Sequence, residues 1–255
     1  MNFYKVLTPF QKFFLIFFLI TGILSFFQLV LMGQGSFCSV FTVIGIIGLI
    51  STISGIFTCI YQARASLSCY FWWILNTITY AIVALHGALY GQFIQNIIFL
   101  LPLEIIGFIA WKRNIQTSTH GEIDVERFTA KHWIFSIIGL AIAWVVYAYF
   151  LIELPAIFKL LFNMNISSDP SYIMDSFTAV MTIYAVWLTS KRYLEQWYFW
   201  FLSNLGVILF IESMIKSGTV SVNDLSGALV WIQFGTSAIY GYFCWRKLYK
   251  ARHNQ

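Results

Sequence analysis

Charge is what this sequence has least of. Asp, Glu, Lys and Arg make up 10% of its 255 residues, while 60% are hydrophobic and 20% aromatic. A soluble domain of that size needs far more charge to cover its surface. Other chemistries are missing too. No Gly-x-x-x-x-Gly-Lys loop exists, which excludes ATP-driven pumping by this chain alone. The four cysteines (Cys38, Cys59, Cys69, Cys244) lack Cys-x-x-Cys spacing, so they read as small buried apolar side chains rather than metal ligands or a disulfide. No nucleophile–base or two-carboxylate constellation falls in an apolar run, so nothing marks an intramembrane enzyme. The length and aromatic richness leave a retinal-binding membrane protein as a remote alternative. That chemistry needs a lysine within a span, however, and Lys216 falls at an outer end.

What is present is a set of apolar runs near the ~20 residues that a membrane-crossing helix needs. They predict eight spans, at 13–32, 38–61, 69–89, 92–111, 133–153, 174–190, 197–215 and 226–245. With the N-terminus inside, thirteen of the fifteen Lys and Arg fall on the cytoplasmic side, and only Lys159 and Lys216 fall outside. That division matches the positive-inside rule and makes the net charge of +5 a topology signal, with contact to anionic lipid, rather than a nucleic-acid footprint. The first run follows Lys5 and Lys12, exceeds a typical signal-peptide core and lacks an Ala-x-Ala site, so it is expected to remain as a helix.

One membrane segment is written twice. Tyr70-Phe71-Trp72-Trp73-Ile74-Leu75-Asn76 returns 128 positions later as Tyr198-Phe199-Trp200-Phe201-Leu202-Ser203-Asn204. Each copy is followed by a helix with a matching end: Gly107-Phe108 and Trp111-Lys112-Arg113, then Gly241-Tyr242 and Trp245-Arg246-Lys247. Four spans separate equivalent positions, so the two units enter the membrane in the same sense, as parallel repeats. The expected fold class is an all-α polytopic membrane protein of eight transmembrane helices. Its predicted parts are an N-terminal extra helix (1–35), a first three-helix repeat (36–111), a cytoplasmic loop with a linker helix (112–153) and a second three-helix repeat (174–247).

Trp197, Trp200 and Asn204 share one helical face, and Trp72 with Asn76 repeats the Trp200/Asn204 spacing. Asn204 sits roughly 10 Å inward of Trp197 at the α-helical rise. Indoles also belong to interfacial belts. A buried amide, though, needs a partner, so Asn76 and Asn204 read either as helix–helix contacts or as substrate ligands. Span four carries Gln92, Gln95 and Asn96 near its outer end and Glu104 near its middle, where a carboxylate usually faces a cavity. Span eight adds Gln233, opposite Phe99 in the repeat, and Tyr240. Aromatic faces with amides suit a flat ring bearing delocalised positive charge. With no His/carboxylate pair in the spans, proton coupling has little support.

Trp197-x-x-Trp200-x-x-x-Asn204, preceded by Glu195-Gln196, resembles the signature of the PnuC vitamin transporters. The 3+1+3 arrangement of spans two to eight is similar to that family too, and to the parallel repeats of the SWEET sugar carriers. The resemblance covers about residues 38–247, and span one matches an extra helix seen in some members. It implies a non-enzymatic carrier without cofactors or metal, in the bacterial inner membrane, with both termini cytoplasmic. The implied activity is facilitated diffusion of nicotinamide riboside, trapped afterwards by a cytoplasmic kinase, and the implied assembly is a homotrimer. Carried over by motif, Trp200 stacks near the nicotinamide and Asn204 hydrogen-bonds the ligand, with Gln95 and Asn96 as further polar contacts. Glu104 stands where many members carry Gln, which leaves thiamine, also a cation, as alternative cargo.

Overall fold

The computed structural model describes residues 3–31, 33, 36–118, 121–206 and 222–253. Among them the architecture is helical, with one isolated β-bridge. Six helices are long and apolar enough to cross a membrane: α1 (Pro9–Phe26), α2 (Val43–Ala63), α3 (Ser68–His86), α4 (Tyr90–Thr117), α5 (Ala130–Phe162) and α6 (Tyr172–Ser190). Two more follow, α7 (Gln196–Ser203) with a 3-10 turn at Asn204–Gly206, and α8 (Val222–His253). The expected span at 197–215 thus begins with α7; residues 207–215, like Lys216, lie outside the described residues.

Helix ends differ from span ends for physical reasons. A capping box starts α1 early: Thr8 Oγ1 accepts from the Gln11 amide, and Thr8 N donates to Gln11 Oε1 at 3.1 Å. Helix α5 continues through Glu153, Pro155 and Lys159 to Phe162. Charge marks where hydrocarbon ends, not where helical hydrogen bonding must end. In α4 the stretch Gln95–Leu100 is π-helical just before Pro102, whose ring crowds the preceding turn and removes a donor.

Helix α3 packs on both α2 and α4, and α7 on both α6 and α8. Helix α8 then lies on α2, and α6 on α4. Helix α1 covers α2, its Phe14, Leu15 and Phe18 meeting Ile56, Cys59 and Ile60. Helix α5 lies along α6, where Trp144 Nε1 donates to the Ile173 carbonyl at 3.0 Å.

The two units end their first helices alike. Ala65 and Arg192 both adopt left-handed backbone, at φ of 54° and 63°. Around them Ser66 N donates to Tyr61 O and Ala65 N to Gln62 O, while Tyr193 N donates to Leu188 O and Arg192 N to Thr189 O. Each is a Schellman closure. The third helices match as well: Trp111 Nε1 donates to Thr189 O at 2.8 Å, and Trp245 Nε1 to Gln62 O at 2.9 Å. Gly107 receives the ring of Tyr70 and Gly241 that of Trp197, so closely that a Cβ would lie 2.4 and 2.2 Å from ring-system atoms.

These pairs correct the register read from the sequence. Gln62/Thr189, Ala65/Arg192 and Tyr70/Trp197 all stand 127 apart, not 128. The partner of Trp200 is therefore Trp73, and that of Asn204 is Thr77. One residue of slip turns a helix by about 100°, enough to move Trp72 off the equivalent face.

Residues 121–129, ahead of α5, form a strap across the basic helix ends rather than a loose loop. Ile123 and Val125 are buried in the main core cluster with Trp111, Leu194 and Trp245. Glu126 bridges Tyr193 in the parallel sense, with Glu126 N donating to Arg192 O and Leu194 N to Glu126 O. Arg252 pairs with Asp124 at 2.7 Å and with Glu122 at 3.0 Å, and also donates to the Ile123 carbonyl. Glu195, 2% exposed, accepts from Phe128 N at 3.1 Å and pairs with Arg127 at 3.4 Å.

Candidate functional site

The two units meet at Trp73 and Trp200, whose ring centroids lie 5.5 Å apart at 53°. Beside this pair a small cavity is enclosed by Thr58, Cys59 and Gln62 of α2, Trp73 of α3, Trp197 and Trp200 of α7, and Phe234, Ser237 and Ala238 of α8. It encloses about 20 Å³, room for about one water. Its walls are three indoles and a phenyl ring, with a few uncharged polar groups set between them. Among the described lining residues none is Lys, Arg, His, Asp or Glu.

Buried hydrogen bonds brace the indoles. Trp200 Nε1 donates to Thr189 Oγ1 at 3.3 Å, and Thr189 Oγ1 donates in turn to Gln196 Oε1. The same Gln196 oxygen accepts from Gln62 Nε2 at 3.3 Å, and Gln196 Nε2 donates to the Tyr193 carbonyl at 3.0 Å. Gln196 and Thr189 have no exposed surface. A satisfied network in a low-dielectric interior rigidifies the groups that it joins. Here it links α2, α6 and α7. Trp197 Nε1, by contrast, is buried without a hydrogen-bond partner among the described residues, and this indole packs against Gly241 and Trp245.

The residues singled out in the sequence separate into two groups. Trp197 and Trp200 line the cavity. Asn76 and Gln233 come together one turn further along, where their amide nitrogens lie 3.2 and 3.6 Å from where a Cβ on Gly55 would stand. Asn76 Nδ2 donates to the Ser51 carbonyl at 2.7 Å, and Gln233 and Ser237 hydrogen-bond the Cys59 thiol. Asn204 is buried and turned onto its own helix, donating to the Trp200 carbonyl at 2.5 Å.

The others sit elsewhere. Trp72 stacks on Phe57, centroids 4.6 Å apart, away from the Trp73–Trp200 pair. Tyr240 faces the N-terminal helix: its ring stacks on Phe10 at 4.2 Å and its hydroxyl meets Thr8 Oγ1 at 2.8 Å. Asn96 donates to the Gln92 carbonyl of its own helix at 2.8 Å, and neither it nor Gln95 lines the cavity. Glu104 is fully buried between α3 and α4, where Thr77 Oγ1 donates to its Oε1 at 2.6 Å. It too lies outside the cavity wall.

Sequence reasoning missed Trp73, Gln62, Thr58 and Ser237. Trp73 was hidden by the adjacent Trp72, which carries the better string match. A larger groove of about 620 Å³ runs along α5 and α6 past Leu140, Tyr147 and Val180. It offers a polar vitamin few partners, because its Ser136 and Tyr184 already bond each other.

A family model described as nicotinamide mononucleotide transporter matches residues 45–247. The chain belongs to that family. It is similar to the nicotinamide riboside transporter PnuC of Neisseria mucosa, 25% identical over 81% of this chain and 74% of the relative. It also resembles the PnuC of Haemophilus influenzae, 26% identical over 80% of each chain. A solved crystal structure of the vitamin B3 transporter PnuC superposes with a TM-score of 0.66, covering 96% of this chain and 94% of that one at 23% identity. That likeness speaks for the PnuC fold alone. The PnuC relatives are named as transporters, so this membrane protein is read as a carrier of a small molecule and not as an enzyme.

Proposed function

We propose that this chain is a uniporter of nicotinamide riboside, bound between two parallel three-helix repeats, α2–α4 and α6–α8, with α5 as linker. One observation carries the reading: the inter-unit cavity is walled by Trp73, Trp197 and Trp200 and bears no charged side chain among its described lining residues. At about 20 Å³ it must widen as the units part to admit the riboside. Indole faces attract a flat pyridinium cation by stacking and cation–π contact. Thr58, Gln62 and Ser237 offer hydrogen bonds to ribose hydroxyls and a carboxamide. A phosphate dianion finds no cation there, which disfavours the mononucleotide for which the family is described. Ion coupling also lacks a carboxylate or histidine in the wall to bind the driving ion.

A uniporter only equilibrates its substrate, so net uptake needs a sink. Phosphorylation by a cytoplasmic kinase supplies one, because the phosphorylated product is a poor ligand for an uncharged aromatic cavity. The matched turns, glycine contacts and indole hydrogen bonds support two repeats that rock against each other to open the site alternately to either side. The charge division supports cytoplasmic termini, which puts the strap on the cytoplasmic side. The family resemblance supports a homotrimer in the bacterial inner membrane.

Calorimetric titration of purified protein with nicotinamide riboside, its mononucleotide, thiamine and riboflavin tests the assignment. The riboside is expected to bind and the mononucleotide to bind at least tenfold more weakly. Tight thiamine binding with no response to the riboside would reject it.

A further inference from the structure

We propose that Glu104 and Ala238 decide on which side of the Trp73–Trp200 pair the substrate is held, Ala238 opening one half-site and Glu104 keeping its counterpart filled. The inference rests on the carrier reading and deepens it. The two residues occupy the same place in their units. Glu104 stands three residues before Gly107 and Ala238 three before Gly241, and those glycines receive the equivalent rings of Tyr70 and Trp197. Thr77, which meets Glu104, and Asn204, which abuts Gly235 one turn before Ala238, also stand at equivalent places on the second helices.

The chemistry at that shared place differs. In the first unit Thr77 reaches across to the Glu104 carboxyl, and Glu104 has no exposed surface. In the second unit Asn204 turns back onto Trp200, and position 238 carries only a methyl group. The cavity lies there, against Ala238, Ser237 and Phe234. Its counterpart in the first unit, around Tyr70, Leu100 and Val186, is packed core. A carboxyethyl group in place of a methyl contributes to the difference, together with Leu103, which packs on that core where the second unit has Ser237.

Stability does not explain Glu104. Among the described residues its Oε2 is buried without a hydrogen-bond partner, an arrangement that is costly in a low-dielectric interior and that an apolar side chain of similar size would avoid. Keeping the first half-site filled leaves one pocket, and therefore one orientation, for an asymmetric ligand lying across two like units.

The test is calorimetry with nicotinamide riboside on wild type, Ala238→Val, Ala238→Leu and Glu104→Gln, each checked for monodisperse elution. Overpacking the pocket is expected to weaken binding by about tenfold or more in both Ala238 variants. Glu104→Gln, which keeps the volume, is expected to bind within about threefold of wild type, well under the tenfold that 1.4 kcal/mol represents. Wild-type affinity in Ala238→Val, or loss of binding in Glu104→Gln, would overturn the inference while leaving the carrier reading intact. If wild type itself ignores the riboside, the carrier reading fails first.

Discussion

Trp73 and Trp200 face each other across the two units with their rings 5.5 Å apart, and they hold the same position in their respective helices. Indoles so placed form a shared wall, available from either unit. Trp73→Ala and Trp200→Ala are each expected to weaken riboside binding by about 1–2 kcal/mol, in the range of aromatic-pair and partly desolvated cation–π contacts. Trp72→Ala, which removes a stack on Phe57 and an edge contact with Phe71, is expected to leave affinity within twofold. Titration of the three variants side by side checks the register; equal losses at 72 and 73 would refute it.

Gly107 and Gly241 are the points of closest approach within the units. A methyl at Gly241 would lie 2.2–2.5 Å from three atoms of Trp197, and one at Gly107 would lie 2.4–2.8 Å from three atoms of Tyr70. Gly107→Ala and Gly241→Ala should each destabilise the protein by about 1–3 kcal/mol through overpacking. Gly139→Ala on α5, where nothing stands within 4 Å, should be neutral or slightly stabilising. Thermal unfolding in detergent distinguishes the three.

The strap depends on Arg252 and Glu195. Arg252→Gln removes the ion pairs with Glu122 and Asp124, and Glu195→Gln weakens the hold on Phe128 N and Arg127. Partly exposed ion pairs contribute about 0.2–1 kcal/mol each, and the hydrogen bond from Phe128 N to the buried Glu195 carboxylate about 1.5–3 kcal/mol. Glu195→Gln should therefore accelerate tryptic cleavage after Arg127 several-fold, and Arg252→Gln less. Unaltered cleavage kinetics in both variants would show that Ile123 and Val125 hold the strap by burial alone.

Thr189→Val deletes the hydroxyl that joins Trp200 to Gln196. Trp200 Nε1 would then lose its acceptor, at about 1–3 kcal/mol, while Gln196 Oε1 keeps the hydrogen bond from Gln62 Nε2. A lower unfolding temperature is expected, with weakened affinity because Trp200 loses its brace. Unchanged stability would mean that Trp200 Nε1 finds a replacement acceptor.

Part of the candidate site stood out in the sequence because its chemistry is rare in a membrane. Trp197, Trp200 and Gln233 stood out as aromatic or amide groups in apolar helices, and the structure brings them to one cavity and its rim. Trp72 and Tyr240 stood out for the same reason but face Phe57 and Phe10, since composition says nothing about which way a helix is turned. The strap carried a readable signal that the loop assignment passed over. Glu122-Ile123-Asp124-Val125-Glu126 alternates polar and apolar residues with the period of an extended chain.

By itself the sequence determined the membrane class, the helical content and the recurrence of one aromatic segment. Transfer of apolar residues into hydrocarbon is a local, composition-driven preference, and it needs no knowledge of neighbours. Only the tertiary structure decided the repeat register of 127, the pairing of Trp73 with Trp200, and the placement of Glu104 in packed core while Ala238 borders the cavity. Those outcomes depend on rotation about helix axes, and rotation is set by ridges, glycine contacts and indole hydrogen bonds between segments far apart in the chain.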